Sequence, residues 1–202
     1  MKKSRLLILI IISSMLSSIS DGQTNTLVKD YLTVPGPIVF DTESYNLSWS
    51  SHPSANFYKQ EYIIAGDNPE KYNTMILLDV LTGNKTISEI VAAKIVELKA
   101  AKQSNPFVSY ETFGNTKAGE YMLDFIMTAN DASGKITIAE RNVYRYTSFT
   151  TAAGQKGILL FGVSMRSYGN DARQFIAKPK TAKLDAQNKV KQFKIPVIKI
   201  LE

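Results

Sequence analysis

Cysteine is absent from this chain of 202 residues. That excludes disulfides, thiolate nucleophiles and cysteine metal sites together. Histidine occurs once, as His52. A zinc site would need its remaining ligands from Asp and Glu, an unusual set, and His52 beside Pro53 reads as a turn residue instead. A Ser-His-Asp triad would also have to use His52. No nucleophile elbow accompanies it: Gly162-Val163-Ser164-Met165-Arg166 fails at its last position and lies inside a strand pattern. Phosphate loops are missing too. Gly83-Asn84-Lys85-Thr86 precedes a helical pattern, but the first glycine is absent and Lys85 does not follow a glycine directly. Asp131-Ala132-Ser133-Gly134 lacks the acidic spacing of a calcium loop and reads as a hairpin turn. No catalytic residue, metal or cofactor is expected.

What is present begins with a basic start at Lys2, Lys3 and Arg5. An unbroken apolar run, Leu6 to Ile12, follows, then Met15, Leu16 and the small residues Ser17, Ser18 and Ser20. This is the pattern of a secretory signal peptide over residues 1–22, cut after Ser20 or Gly22. The run is shorter than the ~20 apolar residues of a membrane anchor. A periplasmic or secreted destination follows, and the Ser, Asn, Lys and Ile usage suggests a bacterial envelope protein. Cleavage after Gly22 removes three basic residues and one acidic residue, lowering the formal charge from +6 to +4. A mild surplus on an exported chain does not point to nucleic acid.

The length suits one domain over residues 42–202, preceded by an extended segment at 23–41. In that segment Pro35-Gly36-Pro37 restricts the backbone ahead of the apolar Ile38, Val39 and Phe40. Tyr45, Leu47 and Trp49 alternate with polar residues, as do Tyr58, Tyr62 and Ile64, and Pro53 to Asn56 sits between as a turn. Tyr72 to Leu81 and Phe107 to Phe113 read as further strands. Three long alternating runs from Gly119 to Tyr168 form an antiparallel meander. Between them the period changes: Ile87, Ile90, Val91, Ile95 and Leu98 mark an amphipathic helix over 86–103. Thr86 and Glu89 have capping-box spacing. Pro179 to Gln192 is a weaker, lysine-rich helix. The expected fold is α+β: a curved antiparallel sheet of about six to seven strands, one main amphipathic helix and a C-terminal helix packed on it.

This order, with Tyr45-Asn46-Leu47-Ser48-Trp49 followed by Pro53, resembles the Mog1/PsbP-like group. The resemblance spans roughly Phe40 to Lys191 and implies a curved antiparallel sheet with flanking helices. Members are mostly non-catalytic binding or assembly factors, so it implies no catalytic residues.

Charged residues interrupt the strands in phase. Glu61, Glu120, Asp124, Arg141, Arg145 and Arg166, with Lys59, are expected on one polar sheet face near Tyr58, Tyr110, Tyr144, Tyr146 and Tyr168. Such a face is either a lattice of cross-strand ion pairs or a site for a small polar ligand or peptide. The functional expectation is therefore a non-catalytic protein that binds an envelope partner or a small ligand. The alternative is a hydrolase or isomerase that uses Glu61, Glu120 or Asp124 with tyrosines. Seven lysines between Lys178 and Lys199, against the single acid Asp185, add a weak contact with an anionic surface to the expected partners.

Overall fold

The computed structural model describes residues 28–115 and 119–200. The signal-peptide assignment at 1–22 falls outside them. The elements are β1 (Ile38–Phe40), β2 (Glu43–Ser54), β3 (Phe57–Ile64), β4 (Thr74–Thr82), α1 (Ile87–Ser104), β5 (Ser109–Asn115), β6 (Glu120–Asn130), β7 (Ile136–Thr150), β8 (Lys156–Tyr168), α2 (Asp171–Ile176) and α3 (Lys180–Gln192). No helix among the described residues is long and apolar enough to cross a membrane.

All eight strands join one antiparallel sheet in the order β1-β2-β3-β4-β8-β7-β6-β5. Two four-stranded meanders thus meet at the central β4–β8 pair, and α1 carries the chain from the centre to the far edge. Among the described residues the fold is mainly β, with three helices. This corrects the expected α+β arrangement of six to seven strands with one main helix. The reason is that sheet membership is decided by pairing, which the residues of one segment alone do not show. Ile38–Phe40 earns a place only through its partners Glu43, Ser44 and Tyr45. The helical turn α2 packs on β7 and β8 and buries Ala172 beside Ile136 and Ala139.

The central pair is close. A Cβ added at Gly157 would lie 2.6 Å from the Leu81 carbonyl oxygen, so a side chain there would push β4 from β8.

One sheet face carries α1. Thr86 Oγ1 accepts from the Glu89 N–H, and Glu89 Oε2 accepts from the Thr86 N–H at 2.7 Å, so the capping box forms. A cap of this kind contributes about 0.5–2 kcal/mol. Ile87, Val91 and Leu98 are buried against Leu123, Phe125, Tyr146 and Ile158, while Ile90 and Ile95 are only half-buried.

The opposite face carries α3 and both ends of the described chain. Tyr62, Ile76, Leu78, Val80, Val143 and Phe161 form its floor. Phe193, stacked on Phe161 at 4.5 Å, leads the tail onto it. Gln60 is fully buried, and its Oε1 accepts from the Tyr31 and Leu32 N–H groups at 2.7 and 2.9 Å. The Tyr62 hydroxyl donates to the Val34 carbonyl at 2.7 Å. Two strand residues thereby join Asp30, which accepts from the Leu32 and Val34 N–H groups, in satisfying residues 31–34, which lie outside any ladder.

Candidate functional site

The six charged residues expected on one face lie on two. Antiparallel partners share a face, and Glu61 opposes Leu77 while Glu140 opposes Arg166, which places Glu61 and Arg166 on the α1 face. Glu120, Asp124, Arg141 and Arg145 lie on the α3 face, in phase with Met122, Val143 and Phe161. Alternation fixes phase within a strand, and pairing fixes it between strands.

On the α3 face these four residues clamp the C-terminal elements. Arg141 Nε donates to Asp124 Oδ1 at 2.9 Å, and its Nη2 donates both to Asp124 Oδ2 and to the Lys183 carbonyl. Gln187 of α3 donates to the same carboxylate at 2.6 Å. Arg145 holds Glu120 at 3.0 Å and donates to the Phe193 carbonyl at 2.9 Å. Two of the expected ligand-binding carboxylates, Glu120 and Asp124, are thus engaged by structural partners.

The α1 face carries two polar groups. In one, Arg166 Nε is hydrogen-bonded to Glu140 while its guanidinium lies 4.2 Å from the centre of the Tyr72 ring. Tyr72 donates to Glu140 at 3.1 Å, and Asn142 donates to its other oxygen at 2.9 Å. Burial pushes Tyr72 well above the ordinary tyrosine range, and Glu140 adds to that shift. In the other, Lys59 pairs with Asp79 at 3.0 Å, directly across β3–β4, and Glu61 stands on the same face. Asp79 Oδ1 is buried without a hydrogen-bond partner among the described residues. Burial raises both carboxyls above their ordinary values, with Lys59 opposing the shift in each case and Asp79 adding to it at Glu61. On the same face Tyr144 opposes Gly162, where a Cβ would meet the ring at 3.0 Å, so this glycine admits the tyrosine.

The raised carboxyls have a signed consequence. In the pH window from their ordinary values of 4.5 and 3.8 up to their folded values, the folded state binds more protons than the unfolded state. Their contribution to stability therefore falls as pH rises through that window. Glu61→Gln removes part of this term. Its stability relative to the wild type, from urea unfolding at pH 4, 5, 6 and 7, is expected to improve steadily with pH. A difference independent of pH would contradict the assignment.

A cleft of about 510 Å3 opens on the α3 face, between the sheet and α2–α3. Tyr45, Ile64, Val163 and Met165 make an apolar floor drawn from β2, β3 and β8. Phe175, Ile176, Ala182 and Ala186 make the helical wall. The lip is charged. Lys189 is held by Asp41 at 2.9 Å and by Asp185 at 2.7 Å, and these two partners raise its pKa, Asp185 first. Glu43 and Lys178 also reach the lip and form no ion pair among the described residues. Asp41 and Thr42 hold positive φ angles of 49° and 70° in the two-residue β1–β2 turn. The left-handed region is unfavourable for a β-branched residue such as Thr42, so the turn that presents Asp41 and Glu43 is strained. Of the six expected site residues, only Arg141 lines the cleft.

Sequence pattern alone does not mark several of these residues. Asp79 had a signal, being the one charge in the run Met75 to Leu81. Tyr72 and Glu140 had none, because their contact joins residues 68 apart. The lip residues Asp41 and Glu43 also had none. His52 Nδ1 lies 2.9 Å from the Phe57 carbonyl, to which it donates in the tautomer protonated there, and the ring stacks on Tyr58 at 4.1 Å. Among the described residues no group of three or more His, Asp or Glu side chains is placed to hold a metal ion. Of the seven lysines, Lys183 pairs with Glu111 and Lys189 with two aspartates.

No curated protein and no solved structure gives a significant match to the chain. One family model matches residues 32–195, from the segment held by Gln60 to the tail beyond α3, and the chain belongs to that family, whose function is unknown.

Proposed function

We propose that this chain is an exported, non-catalytic bacterial envelope protein that holds a small amphipathic ligand in the cleft beneath α2 and α3. The observation that carries the reading is the cleft itself. Its volume of about 510 Å3 lies within the usual range of small-molecule sites. Its apolar floor suits a hydrocarbon or aromatic body, and its charged lip suits a polar head. Glu43 and Lys178 offer that head one carboxylate and one ammonium. Chemistry is disfavoured by placement. The carboxyls raised by burial, Glu61 and Asp79, stand on the other side of the sheet, and Asp124 and Glu120 are held by Arg141 and Arg145. A glycosidase would need two free carboxyls in one cleft, and of the three on this lip Asp41 and Asp185 are held by Lys189, which leaves Glu43 alone.

The test is a fluorescence titration with 1-anilinonaphthalene-8-sulfonate, which joins an apolar body to one charge. The wild type is expected to bind it saturably at one site. Ala182→Phe places a ring against the floor and is expected to weaken binding at least about tenfold, a change of about 1.4 kcal/mol. Far-ultraviolet circular dichroism establishes that the variant is folded. Unchanged affinity in the folded variant would place the dye elsewhere and overturn the reading.

A further inference from the structure

The two edges of the sheet differ. β1 is three residues long and follows Pro37, which makes it a poor template. β5 is seven residues long and has no neighbour on its outer side among the described residues. It contains no proline. Its single charge, Glu111, is engaged by Lys183 on the α3 side. An open edge of this kind presents a row of unpaired N–H and C=O groups to any extended chain.

A groove runs beside this edge. Lys99, Lys102 and Gln103 of α1 face Ser109 and Tyr110 of β5 across it. Both lysines are exposed, and neither forms an ion pair among the described residues, whereas Lys94 on the same helix is held by Glu97 at 2.8 Å. On the other face of β5 the aromatic Phe113 is 38% exposed. Register assigns these sides: Tyr110 opposes Phe125 on the α1 face, and Phe113 opposes Met122 on the α3 face.

We infer that β5 is a docking edge for an extended acidic segment of a partner protein, which adds as a ninth strand with acidic side chains toward Lys99 and Lys102 and apolar ones toward Phe113. Charge complementarity selects this occupant. A second copy pairing through β5 would bring two sets of these lysines to one junction, where like charges repel. The site is separate from the cleft, and its fate does not depend on ligand binding there.

The probe is an eight-residue peptide of alternating valine and glutamate, added to the whole protein and followed by amide hydrogen exchange and by a titration. Expected results are saturable binding and slowed exchange of alternate amides in β5. Lys99→Glu with Lys102→Glu, at positions already exposed, is expected to weaken binding about tenfold or more. Raising the salt from 0.05 to 0.5 M is expected to weaken it too, because exposed charges are screened over about 10 Å at 0.1 M. Three results would overturn the inference: no binding at millimolar peptide, equal binding of a valine–lysine peptide, or equal binding of a peptide N-methylated at alternate residues on its pairing edge. Concentration-dependent protection of β5 without peptide would also overturn it, by assigning the edge to a second copy.

Discussion

Asp124→Ala is expected to cost about 3–5 kcal/mol in chemical unfolding, the usual loss when one partner of a buried ion pair is removed. The side chains of Asp124 and Arg141 are 2% and 9% exposed. Truncating the aspartate strands the guanidinium in the core and also removes the acceptor for Gln187 of α3. The remaining Arg141 bond, to the Lys183 carbonyl, does not neutralise a charge. Desolvation rather than attraction sets the magnitude, and a paired control separates the two. Asp124→Leu combined with Arg141→Met removes both charges and keeps apolar volume, so it is expected to cost less than Asp124→Ala alone. Hydrogen exchange in α3 should rise in the single variant, because two of the bonds that seat this helix pass through the pair. A loss below about 1 kcal/mol, near the ordinary effect of a single substitution, would mean that the pair is more hydrated than its geometry indicates.

Leu98→Ala is expected to cost about 2–5 kcal/mol, the range for emptying a buried leucine site. Leu98 is fully buried in the cluster that joins α1 to β6 and β7. The helical period nominates Ile95 equally well, but Ile95 is only half-buried. Ile95→Ala is therefore expected to cost less than half as much, since its side chain gives up less contact and leaves a shallower void. Urea unfolding of both variants decides the order. A larger loss at Ile95 would mean that α1 is rotated on the sheet relative to the observed packing.

Local rules read much of the fold from the sequence. Tyr58, Tyr62 and Ile64 share a face, as do Leu159, Phe161 and Val163, because a strand's own pleat sets that phase. The Thr86–Glu89 box is legible because capping spans one helical turn. Trp49 shows where such reading stops. Alternation puts it beside Leu47, but Leu47 opposes Tyr62 while Trp49 opposes Glu61, with a register shift between them. The shift turns Trp49 to the α1 face, where it is 41% exposed. Nothing in the local residues announces that bulge.

The same limit explains the split polar face. Lys59–Asp79 and Asp124–Arg141 have similar patterns within their strands, and pairing through β4, β8 and β7 puts them on opposite sides. The cleft was least legible of all. Its floor and wall come from β2, β3, β8, α2 and α3, and its lip includes a turn strained at Thr42. A site assembled from segments more than a hundred residues apart leaves no spacing to find.

The most direct measurement of where this protein binds is a methyl-resolved NMR titration of the whole chain with 1-anilinonaphthalene-8-sulfonate. Ile64, Val163 and Val190 report the cleft, while Ile63 and Leu77 lie buried on the other face of the sheet. Saturable shifts at Ile64, Val163 and Val190, with Ile63 and Leu77 unmoved, are the expected result. Shifts confined to Ile63 and Leu77 would move the binding site to the α1 face, beside Glu61 and Asp79, and contradict the assignment of the cleft.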